Sequence, residues 1–236
     1  MCREVLILVS LFGFLCIPDY GLCQSGERGA LADVREVSFP TSDGGHVFAS
    51  IYGAGDHAVV LAHGAVFNKE SWAEQSGLLM KEGFRVLAID FRGYGKSQAG
   101  SQKGALHLDV LAAVRYLHDQ GARRVSVVGG SMGGGAAARA AAEATEGEID
   151  RLILLAHAPI RRPQDLQGRK LFLVSGGDRL SRSVQQQYEA APQPKKLVVL
   201  AGDAHAQHIF RTDHADELTQ LIVDWLKSAG SGESPD

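Results

Sequence analysis

Apolar and polar residues follow two different patterns along the chain, and the change between them predicts its architecture. Segments 35–40 and 46–52 alternate apolar with polar residues around the turn residues Ser42-Asp43-Gly44-Gly45. This pattern predicts a β-hairpin with one exposed face. Continuous apolar runs follow, and they predict strands that are buried on both faces, as in a parallel sheet. The predicted strands of this second kind are 58–62, 85–90, 125–128, 151–156 and 170–175, and a last strand is predicted over 196–200.

Segments with helical spacing separate most of these apolar runs. They predict helices over residues 71–82, 105–120, 134–144, 183–191 and 215–229. Strands that alternate with helices form βαβ units, so we expect an α/β fold with an eight-stranded, mainly parallel sheet flanked by helices. No internal repeat or linker divides the chain, which predicts one domain over residues 35–229. Only the short stretch 159–169 follows the sixth strand, and two prolines and a glycine interrupt it, so we expect no cap domain.

The first 23 residues have the character of a secretory signal peptide. Arg3 precedes an apolar run over 5–17, and small residues follow it before Cys23. The run is shorter than the roughly 20 residues of a membrane-spanning helix. We therefore expect cleavage after Cys23 and a secreted or periplasmic protein. A retained anchor is the alternative, and a lipoprotein is less favoured because Leu22 stands where a small residue is usual.

Composition narrows the function classes further. All three cysteines lie in the N-terminal segment, so the expected mature chain offers no disulfide framework, zinc–thiolate site or cysteine nucleophile. The chain is 45% hydrophobic and 22% charged with a net charge of −3, which is typical of a soluble domain and gives no sign of a nucleic-acid partner. Residues 24–34 form a polar lead-in, and 230–236 form a polar tail that we expect to be disordered.

The candidate chemistry lies directly after the predicted strands, because ligands of parallel sheets bind at the carboxyl ends of the strands. One serine, Ser131, lies in Gly129-Gly130-Ser131-Met132-Gly133, between a strand and an alanine-rich helix. A turn this sharp needs small neighbours. A nucleophilic serine also needs a base and a group that orients the base. Asp178 and His205 each follow a later strand and could supply both.

Other residues compete for these roles. His208 is the alternative base, but the small residues before His205 suit a loop that delivers a side chain to the site. Asp203 is too close to His205 in sequence to orient its ring easily, and Asp90 is expected to be structural. We expect His63 to form structural hydrogen bonds. Residues that could line the pocket are His63, His157 and His208, and the other histidines (46, 57, 107, 118 and 214) are expected at the surface.

Together these motifs resemble the α/β-hydrolase fold family over nearly the whole chain that follows the N-terminal segment. The matching pieces are His63-Gly64 after the third strand, the turn over residues 90–97 after the fourth and the glycine-flanked serine after the fifth. The resemblance implies that Ser131 is the nucleophile, Asp178 the acid and His205 the base. It also implies that the backbone N–H groups of Ala65 and Met132 bind the oxyanion.

The activity that the resemblance implies is hydrolysis of carboxylic esters, with a small-molecule ester or acyl compound as the partner. A thioesterase, a lactonase, a peptidase and a non-catalytic binding protein are the alternatives. Gly95-Lys96-Ser97 resembles the end of a phosphate-binding loop, but residue 90 is aspartate where that motif needs glycine. No dinucleotide motif follows the first parallel strand, and His205 and His208 lack metal-ligand spacing. We therefore expect no cofactor and no metal.

Overall fold

A computed structural model describes residues 34–228. The predicted signal peptide, its cleavage site, nearly all of the lead-in and the polar tail lie outside the described residues. Within the described part of the chain, no helix has both the length and the apolar character needed to cross a membrane.

A single eight-stranded sheet forms the centre of the molecule, as the hydrophobic pattern predicts. The strand order is β1-β2-β4-β3-β5-β6-β7-β8. β1 and β2 form the antiparallel hairpin, β2 pairs antiparallel with β4, and the remaining pairs are parallel. The strands are β1 Arg35–Pro40, β2 His46–Tyr52, β3 His57–Ala62, β4 Arg85–Ile89, β5 Arg124–Gly130, β6 Arg151–Leu155, β7 Arg169–Ser175 and β8 Lys195–Leu200.

Helices flank this sheet at nearly the predicted positions. They are α1 Ala73–Lys81, α2 Leu106–Asp119, α3 Met132–Glu143, α4 Ser181–Ala190 and α5 Ala215–Lys227. One difference lies before α1, where Lys69–Trp72 forms a separate 3-10 turn capped by the Asn68 side chain. A second difference is that α3 begins directly after Ser131, two residues earlier than expected. Between β6 and β7 lies only the 3-10 turn Pro163–Asp165, so no cap domain occurs within residues 34–228.

The turn after β4 is braced by buried charges. Asp90 is fully buried, and its carboxylate accepts hydrogen bonds from the Lys69 N–H at 2.8 Å and the Lys69 Nζ at 2.9 Å. Arg92 is buried between Asp43 and Asp109, at 2.8 and 2.7 Å. Buried charges are tolerated only when they are paired in this way. Asp90 therefore has the structural role that the sequence suggests.

Two histidines expected at the surface are buried instead. His57 begins β3, and its Nε2 lies 2.8 Å from the Ser126 hydroxyl on β5. Burial lowers the pKa of His57 to about 4. His107 on α2 is buried against α3, where its Nε2 lies 3.2 Å from a Glu143 carboxylate oxygen. The expectation of exposure was wrong because a polar partner on a neighbouring element allows a histidine to be buried.

We expect the buried His57 to make the fold sensitive to acid. In the unfolded chain a histidine binds its proton near pH 6.5, whereas folded His57 does so only near pH 4. Between these values the unfolded state holds more protons, so the free energy of unfolding falls as pH falls, by up to about 3 kcal/mol from this residue. Urea unfolding at pH 7 and pH 4.5 should show a smaller decrease in the His57→Gln variant than in the wild type. Ser126→Ala, which keeps the titrating ring, should retain the wild-type decrease. An equal decrease in wild type and His57→Gln would contradict this account.

Candidate active site

Ser131 occupies a strained position between β5 and α3. Its φ is +50° and its ψ is −114°, a conformation that costs a non-glycine residue about 1–3 kcal/mol. Three backbone hydrogen bonds hold it there. The Ser131 N–H donates to the Leu155 carbonyl at 2.9 Å, and the Ser131 carbonyl accepts from the N–H groups of Gly135 at 3.0 Å and Ala158 at 2.9 Å. The backbone around β6 therefore fixes the turn that presents the serine.

The glycines on either side of Ser131 are required because a larger side chain would collide with the neighbouring backbone. A Cβ added to Gly129 would lie 2.6 Å from the Gly133 carbonyl oxygen. A Cβ on Gly133 would collide with the carbonyls of Ala62 and His63 at the end of β3. The small residues predicted around the serine are therefore needed because the turn packs closely on itself and against the end of β3.

Three predicted site residues, far apart in the sequence, meet at the carboxyl edge of the sheet. The His205 Nε2 lies 2.8 Å from the Ser131 Oγ, and the His205 Nδ1 lies 2.7 Å from the Asp178 Oδ2. The second oxygen of Asp178 accepts a hydrogen bond from the Leu180 N–H at 2.8 Å. The Asp178 side chain is fully buried, whereas the His205 side chain is 27% exposed. With Nδ1 donating to the carboxylate, the His205 Nε2 is free to accept the serine proton.

The competing residues lie elsewhere. His208 is exposed, and its ring packs on Phe67 with centroids 5.0 Å apart. Asp203 is exposed in the loop before His205. Asp90 is occupied by Lys69. None of these side chains has a hydrogen bond to Ser131 within residues 34–228.

The loop after β3, which carries Ala65, is held close to the serine turn. The Gly64 N–H donates to the Gln207 Oε1 at 2.7 Å, and the Tyr94 hydroxyl donates to the Ala65 carbonyl at 2.8 Å. Met132 is the first residue of α3, where the N–H groups have no acceptor within the helix and the helix dipole favours negative charge. The two predicted oxyanion donors thus belong to two anchored backbone segments on the same edge of the sheet.

Gln207 is a site residue that the sequence did not reveal. It is 5% exposed, and its Oε1 accepts from Gly64 while its Nε2 donates to the Ser71 hydroxyl at 3.0 Å. Its aliphatic part packs beside Gly130. One side chain therefore links the histidine loop, the loop after β3 and the serine turn. The one feature of the sequence that could have indicated its role is its position two residues after His205.

We expect Gln207→Leu to lower kcat by about 10- to 100-fold with little change in KM, because a small displacement of a positioned group costs about that much. The leucine is of similar size but cannot hold Gly64. Steady-state kinetics on a neutral ester would measure the effect. Gln207→Glu keeps the acceptor and should recover much of the activity, and Ser71→Ala should have a smaller effect. An unchanged kcat with a lower melting temperature would show that Gln207 is merely structural.

The three histidines expected as pocket lining do not line the cleft that opens beside Ser131. His63 is fully buried, with its Nδ1 2.9 Å from the Gly64 carbonyl and its Nε2 accepting from the Phe91 N–H at 3.3 Å. His157 is also fully buried, and burial lowers its pKa to about 4. His208 faces solvent. His63 and His157 are instead buried inside the protein, where their rings pack against Phe91 and Phe172 respectively.

A cleft of about 1060 Å³ opens beside the serine. Ser131 and Met132 line it together with residues from α2, α3 and the segments after β6 and β7. Its other lining residues are Gly104, Leu106, His107, Gly135, Ala136, Arg139, Ala142, Glu143, Ala158, Pro159, Ile160, Arg161, Arg162, Arg179 and Leu180. No group of three histidine, cysteine, aspartate or glutamate side chains in residues 34–228 is arranged to hold a metal ion.

One protein-family model matches the part of the chain that contains strands β3 to β8. Residues 57–200 match the family model described as alpha/beta hydrolase fold. A non-heme haloperoxidase of Rhodococcus erythropolis is 35% identical over 121 residues, which cover 50% of this chain and 43% of that protein. A bifunctional esterase/perhydrolase of Acinetobacter calcoaceticus is 35% identical over 123 residues, covering 50% and 44%. The chain thus spans less than half the length of these relatives.

Solved structures show the same fold over a larger part of the chain. An esterase of Pyrococcus furiosus superposes with a TM-score of 0.71 at 21% identity, covering 83% of this chain and 90% of that one. An esterase of Exiguobacterium antarcticum gives a TM-score of 0.68 at 18% identity, covering 82% and 100%. At these identities the likeness concerns the fold alone.

Proposed function

Because the chain belongs to the alpha/beta hydrolase family, we propose that it is a serine hydrolase that cleaves carboxylic esters through an acyl-enzyme. The observation that carries the proposal is the continuous path of hydrogen bonds from the Asp178 carboxylate through His205 to the Ser131 hydroxyl. A serine is a weak nucleophile without an adjacent base, and the base works only when a third group orients it. His205 lies within hydrogen-bond distance of Ser131 as the candidate base, and Asp178 lies within hydrogen-bond distance of His205 as the candidate orienting group.

In the proposed reaction, the Ser131 Oγ attacks the ester carbonyl while the His205 Nε2 takes its proton. The proton then passes to the departing alcohol, which leaves an acyl group on Ser131. A water molecule, deprotonated by His205, attacks this acyl group, and the serine is restored with release of the carboxylic acid. Asp178 holds the ring with Nδ1 protonated and stabilises the imidazolium that forms at each step.

The negative charge on the carbonyl oxygen needs hydrogen-bond donors. We assign these to the backbone N–H groups of Ala65 and Met132, and each such donor is typically worth about 10²- to 10³-fold in rate. The anchors of Gly64 and Ala65 support this assignment, since donors that are held in place need no reorganisation during the reaction.

The openness of the cleft bears on the substrate. With no cap between β6 and β7, the site is accessible from solvent, which favours esters that can approach without a lid movement. Thioesters, lactones and peptides react through the same acyl-enzyme and remain alternatives within the class. One relative that is 35% identical over half of this chain is an esterase/perhydrolase, which favours esters among them.

Export is a separate part of the proposal. The apolar N-terminal segment supports a signal peptide over residues 1–23 and a secreted or periplasmic location. N-terminal sequencing of the protein from a culture medium or periplasmic fraction should begin at Gln24. A chain that begins at Met1 and stays with the membranes would indicate the retained anchor instead.

A panel of 4-nitrophenyl esters, from acetate to octanoate, tests the activity directly. We expect saturable hydrolysis of at least the shorter esters by the wild type, and only background rates with Ser131→Ala. A thioester and a peptide 4-nitroanilide in the same assay separate the alternatives. Wild-type rates equal to those of Ser131→Ala on every substrate would overturn the proposal in favour of a non-catalytic binding protein.

A further inference from the structure

The cleft beside Ser131 is rich in arginine although the whole chain has a net charge of −3. Four arginines line it, and the single carboxylate among the lining residues is Glu143. The arginines are Arg139, Arg161, Arg162 and Arg179. A cleft lined by one sign of charge concentrates ligands of the opposite sign.

Two of these arginines are already neutralised. The Arg139 Nε lies 2.9 Å from one oxygen of Glu143, whose other oxygen faces His107 at 3.2 Å. The Arg162 Nε lies 2.6 Å from the Asp165 carboxylate. The only carboxylate in the lining is therefore committed to a partner on its own helix.

The other two have no ion pair with a carboxylate of residues 34–228. Arg161 lies in the segment after β6, and Arg179 directly follows Asp178 in the loop after β7. Both are exposed and both line the cleft that contains Ser131. Unpaired arginines are ordinary on protein surfaces. Arg161 and Arg179 differ from ordinary surface arginines because they lie on neighbouring loops of one cleft. The only carboxylate that lines this cleft, Glu143, is already paired with Arg139.

The rest of the cleft lining is largely apolar. It includes Leu106, Met132, Ala136, Ile160 and Leu180. A guanidinium group keeps its charge at all physiological pH values and binds a carboxylate through paired hydrogen bonds. The site thus combines a reactive serine, an apolar wall and two uncompensated cations.

Resting on the proposed ester hydrolysis, we propose that the preferred substrates are esters that carry an anionic group, such as a carboxylate, separated from the scissile carbonyl by an apolar chain. Arg161 and Arg179 bind the anionic end, and the apolar wall holds the chain between it and Ser131. The two arginines act on binding and take no part in the chemical step.

The experiment compares matched anionic and neutral esters. Mono-4-nitrophenyl adipate and its methyl ester place the difference in charge on the acyl side. 4-Carboxyphenyl butanoate and 4-carbamoylphenyl butanoate place it on the alcohol side. We expect kcat/KM for the anionic member of one pair to exceed that for its neutral partner by about tenfold at low salt, the scale of two partly exposed charge pairs. The advantage should shrink as the salt concentration rises.

The Arg161→Gln/Arg179→Gln variant should bring this ratio to within about twofold of one. Arg123→Gln/Arg124→Gln removes the same number of charges from the start of β5, at the opposite edge of the sheet, and should keep the wild-type ratio. Ratios near one in both pairs, or a preference that survives in the first double variant, would overturn the inference while ester hydrolysis still stands. Absence of hydrolysis of all four esters would instead refute the proposed function.

Discussion

Replacing His205 by alanine should lower kcat on a neutral ester by about four to six orders of magnitude, the loss seen when the base of a serine triad is removed. The His205 Nε2 is the one basic group within hydrogen-bond distance of the Ser131 hydroxyl in the described structure, at 2.8 Å. Without it the serine keeps its proton and cannot attack. Steady-state kinetics of the purified variant, with its circular dichroism compared with wild type, would measure the effect.

His208→Ala is the matched control for that variant. His208 lies on the same loop but is exposed and packs on Phe67, so its loss should change kcat by less than about threefold. The double variant Ser131→Ala/His205→Ala should be no slower than either single variant, because the two residues act as one unit. A severe loss in His208→Ala with a mild one in His205→Ala would reverse the assignment of the base.

Asp178→Asn should lower kcat by about 10⁴-fold while leaving the fold intact. Asparagine has nearly the same shape as aspartate, but its amide turned toward the His205 Nδ1 donates a hydrogen bond where the carboxylate accepted one. The ring would then carry its proton on Nε2, facing Ser131, and could not act as a base. The Leu180 N–H would still find an acceptor in the amide oxygen. Kinetics and a thermal melt of the same preparation separate catalysis from stability.

Asp203→Asn provides the comparison for the acid. Asp203 is exposed in the loop before His205, and we expect its replacement to leave kcat within about threefold of wild type. If Asp178→Asn retained more than about a tenth of the wild-type kcat, the acid would have to be assigned to another residue.

The hydrophobic pattern was sufficient to predict the sheet. Most continuous apolar runs became buried strands, and β3 is buried along its whole length. The exception is β8, which lies at the edge of the sheet and is buried only at Leu200. The glycines around Ser131 predicted a sharp turn, because such a turn needs small neighbours. Ser131, Asp178 and His205 are far apart in the sequence, but each follows the carboxyl end of a parallel strand. Because those ends lie at one edge of the sheet, the three side chains meet there.

Other features depend on side-chain contacts that no local pattern reveals. Gln207 is buried because Gly64 and Ser71, more than a hundred positions away, happen to satisfy its amide. His57 was expected at the surface, but its partner Ser126 lies on the neighbouring strand. The positive charge of the cleft could not be predicted from the sequence either. It depends on which arginines form an ion pair with a carboxylate, and not on the number of arginines.

The most direct test of the account is the site of reaction with a fluorophosphonate, which phosphonylates serines activated by a base. Folded wild-type protein should take up about one equivalent by intact mass, with the adduct mapped to Ser131 by peptide sequencing. Unfolded protein and Ser131→Ala should take up none, and His205→Ala should react far more slowly. Absence of an adduct on folded wild type, or an adduct on a different serine, would contradict the claim that Ser131 is the nucleophile.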